Sequence, residues 1–255
     1  MPRFAANLSM MFTEVPFLDR FAAAAGAGFK AVEFLFPYDF PAAEIAARLK
    51  DNGLQQVLFN APPGDWTKGE RGMAALPGRQ QEFRDAIAKA LDYCATLSCP
   101  RLHVMAGLAP EGVAHDTMTA VYGANLAWAA EACAKAGVKP IIEPINHRDI
   151  PGFFLNTTDQ AAAIIAAVGP DRLGMQFDLY HCQITEGDVV KRVEKHLPLI
   201  AHMQVADTPG RHEPGTGEVN WPFVFDRIDA LGFRGWIGCD GDTVAGLGWF
   251  RPYRA

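Results

Sequence analysis

Four polar residues in the second half of the chain each close a short apolar run: Glu143 in IIEPIN, Asp178 in MQFDLYH, Gln204 in HMQVAD and Asp240 in IGCDGD. An acid or amide reached after a buried run is delivered to the rim of a sheet, where loops build sites. By the two-residue period of a strand, Gln176 shares a face with Asp178, and His202 with Gln204. Carboxylates converging within a few ångströms cannot all stay ionised unless a cation joins them. Carboxylate and amide oxygens are hard donors that favour Mg²⁺ or Mn²⁺, whereas zinc more often recruits His and Cys. Any one of these acids alone reads better as a helix cap or a paired rim charge. Four at the same end of consecutive strands read better as a site.

The stretch 201–221, AHMQVADTPGRHEPGTGEVNW, shows how such a rim is made. It opens as a strand, Ile200–Val205, and runs into a Gly- and Pro-dense loop carrying Asp207, Arg211, His212, Glu213 and Glu218. The rest of the chain supplies the frame. Strands are expected at Arg3–Leu8, Ala31–Phe36, Gln55–Phe59, Arg101–Met105, Pro140–Glu143, Leu173–Leu179, Ile200–Val205 and Gly235–Cys239. Between them lie Ala-rich helical patterns at Pro16–Ala25, Ala42–Lys50, Arg79–Leu97, Thr117–Ala136, Thr158–Ala167, Asp188–His196 and Trp221–Leu231. Thr157 or Thr158 serves as an N-cap. The segment APPGDWTKGERGMAALPG after the third strand is long for a connection, and its Pro, Gly and Trp66 suggest a lid.

Strand–helix alternation with right-handed crossovers predicts a single-domain α/β (β/α)8 barrel over residues 1–255, with function at the carboxyl ends of the strands. A doubly wound open sheet would favour a Gly-rich phosphate turn after an early strand, and the sequence has none there. The length of 255 residues suits one barrel. A net charge of −6 argues against nucleic acid as a partner. No apolar run reaches the roughly 20 residues of a membrane span, and the start, MPRFAANLSMMF, is not a secretory signal. Cys94, Cys99, Cys133, Cys182 and Cys239 lack C-x-x-C spacing, which suits buried thiols and a reducing cytoplasm.

These pieces resemble the hydroxypyruvate isomerase family within the xylose isomerase-like barrels. The resemblance rests on IIEPIN, GMQFDLYHCQI, HMQVADTPGRHEPGTGEVNW and GDTVAGLGW, with NLSMMFTEVPFLDR and PPGDWTKGERGMAALPGR fitting as well. It therefore spans nearly the whole chain, and the loop after strand seven is its most specific part. What it implies is the interconversion of hydroxypyruvate and tartronate semialdehyde, with Mg²⁺ or Mn²⁺ held by Glu143, Asp178, Gln204 and Asp240. Moving a carbonyl to the next carbon requires removing one carbon-bound proton and returning another through an enediolate. By analogy with the family, Glu143 and Asp240 are the alternating base and acid. His181 and Arg211 are candidates for the substrate oxygen and carboxylate, since an arginine fork matches a carboxylate. Their rivals are a rim histidine bonded to a backbone carbonyl and an ion pair from Arg211 to Glu213 or Glu218. Asn7 and Glu33 are expected in structural roles, and Phe12, Phe59 and Trp66 in packing.

One departure stands out. At strand eight the family typically reads C-E-Y-x-P before G-D-T-x-x-G-L-x-W, whereas this chain reads Cys239-Asp240-Gly241-Asp242-Thr243. Aspartate is one methylene shorter than the expected glutamate, and a misplacement of about 1 Å can cost roughly 100-fold in rate. The expectation is that Asp240 remains a ligand with weakened catalysis; the alternative is that Asp242 takes its place, although two further residues carry it beyond the strand end. Alternatives are isomerisation of a four-carbon 2-oxo-tetronate, epimerisation of a keto-sugar, and non-catalytic binding of a metal and a sugar acid. Hydrolysis of abasic DNA would need a His-rich zinc cluster and a basic face, which the charge of −6 opposes. The expected partner is a small hydroxy-oxo acid, with no nucleic acid and no membrane; a homo-oligomer is left open.

Overall fold

A computed structural model describes residues 1–241, 243 and 245–254. Its strands are β1 (Arg3–Asn7), β2 (Ala31–Glu33), β3 (Gln55–Asn60), β4 (Arg101–His103), β5 (Lys139–Ile142), β6 (Gly174–Asp178), β7 (Ile200–Val205) and β8 (Trp236–Cys239). They pair in parallel in chain order, and β1 against β8 closes them into a barrel. The helices α1 (Arg20–Gly26), α2 (Ala42–Asp51), α3 (Gln80–Leu97), α4 (His115–Lys135) and α5 (Thr158–Val168) fill the first crossovers. They are followed by α6 (Leu179–Thr185), α7 (Val189–His196) and α8 (Trp221–Ala230). The chain is thus a single-domain (β/α)8 barrel, as the alternation predicts.

Strand parity separates two cores. One set of residues, including Val32, Leu102, Ile142, Phe177, Met203 and Ile237, belongs to the main cluster packed with the helices. A second cluster gathers Ala5, Ala31, Ile141 and Trp236 on the other parity, joined by the consecutive Val57 and Leu58 of β3. Two residues further along the strands, on the same parity, stand Asn7 after Ala5, Glu33 after Ala31, Glu143 after Ile141 and Gly238 after Trp236. The barrel interior therefore turns from apolar to polar toward the carboxyl ends of the strands. Helix α3 shows how the outer layer is held: Phe83, Ile87, Ala90, Cys94 and Leu97 are buried at helical spacing. The cysteines are all free and buried.

Several element ends differ from the sequence expectation for local reasons. Strand β2 stops at Glu33, because the Leu35 N–H is taken by the Ser9 hydroxyl at 2.9 Å and Pro37 follows. Strand β4 stops at His103, since the next residues bond sideways to the long loop: Gly72 bridges Ala106, and the Ala75 N–H reaches the Ala106 carbonyl at 2.8 Å. Gly72 has φ of 108° and no room for a Cβ against the Met105 backbone, so glycine is required at this crossing. The expected lid is thereby sewn to the barrel at 72–75, leaving the turn Trp66–Lys68 at the rim. Helix α6 is absent from the sequence expectation; Asp178 caps it by accepting the Tyr180 N–H at 2.7 Å. Among the described residues no helix is long and apolar enough to cross a membrane.

Candidate active site

Register brings the predicted residues to one level. Asp178 on β6 pairs with Gln204 on β7, and Gln204 pairs with Gly238 on β8. Glu143 follows the end of β5, and Asp240 the end of β8, where its N–H donates to the Val205 carbonyl at 2.9 Å. All four predicted ligands are buried: Glu143 at 5%, Asp178 at 3%, Gln204 at 2% and Asp240 at 3% exposure. A cavity of about 250 Å³ opens above them, lined by Glu143, Gln204, Asp240, His181, Arg211 and, from the long loop, Trp66 and Arg71.

Each side chain is held by identifiable partners. Asp240 accepts from Asn7 Nδ2 at 2.7 Å and from Arg211 NH2 at 2.8 Å, one bond to each carboxylate oxygen. Arg211 also donates through Nε to the Asp240 carbonyl at 3.2 Å and through NH1 to Asp149 at 3.3 Å. The loop that delivers Arg211 is organised by Asp207. Its carboxylate accepts the N–H groups of Thr208, Gly215 and Gly217, each at 2.9 Å. Arg211 itself sits at φ 58°, a left-handed conformation that a non-glycine residue adopts at a cost of roughly 1–3 kcal/mol.

Below this level lies a polar layer centred on Glu33. Its carboxylate accepts from Gln204 Nε2 at 2.7 Å and Asn7 Nδ2 at 3.3 Å, and meets His202 Nε2 at 2.6 Å. A carboxylate cannot donate to an amide, so the Gln204 oxygen must be turned away from Glu33. That oxygen accepts from Gln176 Nε2 at 2.5 Å. Gly238 makes this layer possible: a Cβ there would collide with both carboxylate oxygens of Glu33.

On the other side of the cavity, His181 Nδ1 lies 2.6 Å from Asn146 Nδ2, and its Nε2 points into the carboxylates, 3.6 Å from Asp178 and 3.9 Å from Glu143. One ligand atom each from Glu143, Asp178 and His181 lies within 4.8 Å of the others. His103 Nδ1 lies 3.6 Å from Glu143 and 3.2 Å from the Asn60 side-chain oxygen.

Glu143, Asp178 and Asp240 share this end of the barrel with the Arg211 guanidinium, and their protonation reflects it. Burial raises Glu143 well above the carboxylate range, with the charges of Asp178 and Asp240 adding to the effect. Burial likewise pushes Asp178 up to about 7, reinforced by Asp240 and opposed by Arg211. Asp240 is raised by burial and restrained by Arg211. Burial would lower Arg211, but the charges of Asp240, Asp178 and Glu143 outweigh it and raise it. Burial holds His181 well below its ordinary value and His103 at about 3, so both imidazoles are neutral. Asp178 Oδ2 is buried with no hydrogen-bond partner. An orphaned buried acceptor beside two further carboxylates is the donor set a divalent cation satisfies.

The structure thus brings Glu143, Asp178, Gln204 and Asp240 to one end of the barrel, with His181 and Arg211 facing them. Arg211 turns to Asp240 and Asp149, whereas the rival reading paired it with Glu213 or Glu218; Glu218 accepts from the Thr208 hydroxyl at 3.1 Å. His181 meets a side-chain amide, whereas the rival reading gave it a backbone carbonyl. Asp242, the suggested substitute for Asp240, lies outside the described residues. Phe59 and Phe12 pack against other rings, and Trp66 stands in the cavity wall. Arg71, His103, Asn146, Asp149 and Gln176 were not foreseen as site residues. Asn146 sits in the same IIEPIN run as Glu143, and Gln176 shares strand parity with Asp178, so a signal existed for both. Arg71 and Asp149 lie on loops that only the fold carries to the cavity. Arg71 stacks 3.7 Å over the Trp66 ring and donates to the backbone carbonyls of Trp66 and Glu70.

Comparison with known proteins agrees with the barrel fold. The model of a family described as xylose isomerase-like TIM barrel matches residues 21–253. The chain is 56% identical to a Cupriavidus necator protein named 2-oxo-tetronate isomerase, over 99% of each chain. It is 44% identical to a protein of Escherichia coli named hydroxypyruvate isomerase, over 100% of both. A crystal structure of a Brucella melitensis protein named AP endonuclease, family 2, is 48% identical and superposes with a TM-score of 0.98 over 100% of both chains.

Proposed function

Because the chain belongs to the xylose isomerase-like TIM barrel family and is an isomerase, we propose that it shifts a carbonyl between C2 and C3 of a short hydroxy-oxo acid with the help of a divalent metal. A 2-oxo-tetronate is the lead substrate, supported by the 56% identical relative of that name. Hydroxypyruvate, one carbon shorter, is the second reading, supported by the E. coli relative. The cavity of about 250 Å³ falls below the roughly 300–1,000 Å³ of sites for drug-sized ligands, which suits an acid of three or four carbons.

The observation that carries the proposal is the orphaned Asp178 oxygen beside Glu143, with Asp240 near enough for its charge to raise both carboxyls. Glu143, Asp178, Gln204 and Asp240 would hold Mg²⁺ or Mn²⁺. When bound, such an ion supplies Lewis-acid stabilisation of negative charge on adjacent substrate oxygens. The rest falls to the chain's own groups. A carboxylate of raised basicity, Glu143, suits removal of the C3 proton; the electron pair left behind forms the C2–C3 double bond of an enediolate. Asp240 returns a proton to C2, the C3 hydroxyl proton passes to the C2 oxygen to leave a hydroxyl there, and the carbonyl now stands at C3. In the reverse direction the two acids exchange roles. His181 faces the reacting oxygens, while Arg211 and Arg71 offer guanidinium groups to the substrate carboxylate.

Hydrolysis of DNA, which the name of the Brucella relative invites, finds no support in the charge of −6 or in a candidate metal group holding one histidine beside two carboxylates. The test is proton NMR in deuterated water with Mg²⁺ and, in turn, a 2-oxo-tetronate, hydroxypyruvate and a neutral keto-sugar. Deuterium entering at C2 or C3 of an acid with formation of its isomer is the expected result. Binding without exchange would replace the enzyme by a sugar-acid binding protein, and turnover of the keto-sugar alone would make it an epimerase.

A further inference from the structure

We propose that Asn146 is a positioning residue that locks His181 in the tautomer carrying its proton on Nε2, so that His181 donates a hydrogen bond to the substrate oxygen instead of ligating the metal. The inference deepens the isomerase reading and rests on it for the identity of the acceptor.

The assignment follows from one backbone bond. Asn146 Oδ1 receives the Asp149 N–H at 2.8 Å. A peptide N–H only donates, so the Asn146 atom at that contact is the oxygen and the amide cannot be flipped. The other end, Nδ2, faces His181 Nδ1 at 2.6 Å. An NH₂ group has only hydrogens to offer, so Nδ1 supplies a lone pair. A neutral imidazole has one bare and one protonated nitrogen, which places the proton on Nε2. A doubly protonated ring would set an N–H against the NH₂ group and is excluded by the same contact.

The protonated Nε2 points toward acceptors, with Asp178 Oδ2 at 3.6 Å and Glu143 Oε1 at 3.9 Å. One approach argues the other way: Arg211 NH2 lies 3.5 Å from Nε2 and would need a lone pair there. That distance is at the limit of a hydrogen bond, whereas the Asn146 contact is short, and the shorter bond decides. By distance alone, Glu143, Asp178 and His181 form a ligand group. The tautomer removes the nitrogen from that group, because a metal bond would need the lone pair that Nε2 does not have.

The chemical consequence is a fixed neutral donor aimed at the oxygen on which charge develops as the C3 proton leaves. Removing one such donor typically costs about 100- to 1,000-fold in turnover. Asn146→Asp is the discriminating variant. It is nearly isosteric and still accepts the Asp149 N–H, but its second oxygen accepts from the ring and draws the proton to Nδ1.

Protein carrying ¹⁵N-histidine, with His181 assigned by difference from a His181→Asn spectrum, reports the tautomer directly. Wild type is expected to show a protonated Nε2 and a bare Nδ1, unchanged when Mg²⁺ is added, and Asn146→Asp the reverse. In kinetics, Asn146→Asp is expected to lower kcat by about 100-fold or more, with KM changed by less than about threefold. A protonated Nδ1 in wild type, or loss of the Nε2 proton on adding Mg²⁺, overturns the proposal. So does a reversed tautomer with kcat intact. If no acid is turned over, the isomerase reading fails by itself, and the spectrum of the free protein still decides the tautomer.

Discussion

Gly238 is the one position on β8 at the level of Gln204 where a single methyl group should disturb the whole polar layer. A Cβ there falls inside the contact radius of both Glu33 carboxylate oxygens. To restore carbon–oxygen contact near 3.5 Å the carboxylate must retreat by roughly 1 Å. The end of a long side chain usually yields cheaply, but this one is 1% exposed and bonded to His202 at 2.6 Å and Gln204 at 2.7 Å. A retreat of that size takes both bonds out of range. Hydrogen bonds to charged groups contribute about 1.5–3 kcal/mol each, so Gly238→Ala should cost about 3–6 kcal/mol. At about 2–4 °C per kcal/mol for a chain of this size, thermal unfolding should fall by roughly 6–24 °C. Glu33→Asp, which withdraws the carboxylate by one methylene, should relieve the collision. In that background the same glycine substitution should cost less by at least about 1 kcal/mol, a coupling that a double-mutant cycle measures. Thermal denaturation of the four proteins is the assay. A loss below about 2 °C in wild type, or equal losses in both backgrounds, would refute the account of Gly238 as the space Glu33 occupies.

Two further outcomes are expected. Asp240→Glu should lower turnover about tenfold, because both oxygens of Asp240 already have partners at 2.7 and 2.8 Å and an added methylene pushes them out of register; a rise in steady-state rate would mean that aspartate is the impaired form. The metal-free protein should lose stability as pH rises. Asp178 is raised to about 7 when folded, so its protonated form contributes stability fully below about pH 4, and that contribution is lost as pH climbs through 7. Mg²⁺ replaces those protons as counter-charge and should raise the melting temperature more at pH 8 than at pH 5.5. Scanning fluorimetry with and without EDTA checks this, and equal shifts at both values would separate the metal from Asp178.

What the sequence determined by itself was the frame and the list of acids. Strand and helix alternation depends on local periodicity, so the barrel was legible from start to finish, and IIEPIN, MQFDLYH and HMQVAD placed their polar residues at the strand ends because each follows a buried run. Element ends were less legible where a neighbour far along the chain decides them, as Ser9 does for β2 and the 72–75 segment for β4. Which acids find which partners was decided only in three dimensions. Arg211 pairs with Asp240 across 29 residues, and Glu33 meets Gln204 across 171. Such pairings cost loop-closure entropy and leave no periodic trace in the chain. The same holds for Asn146 and His181, 35 residues apart: sequence named the histidine, and only the closed barrel brought up the amide that says which of its nitrogens carries the proton.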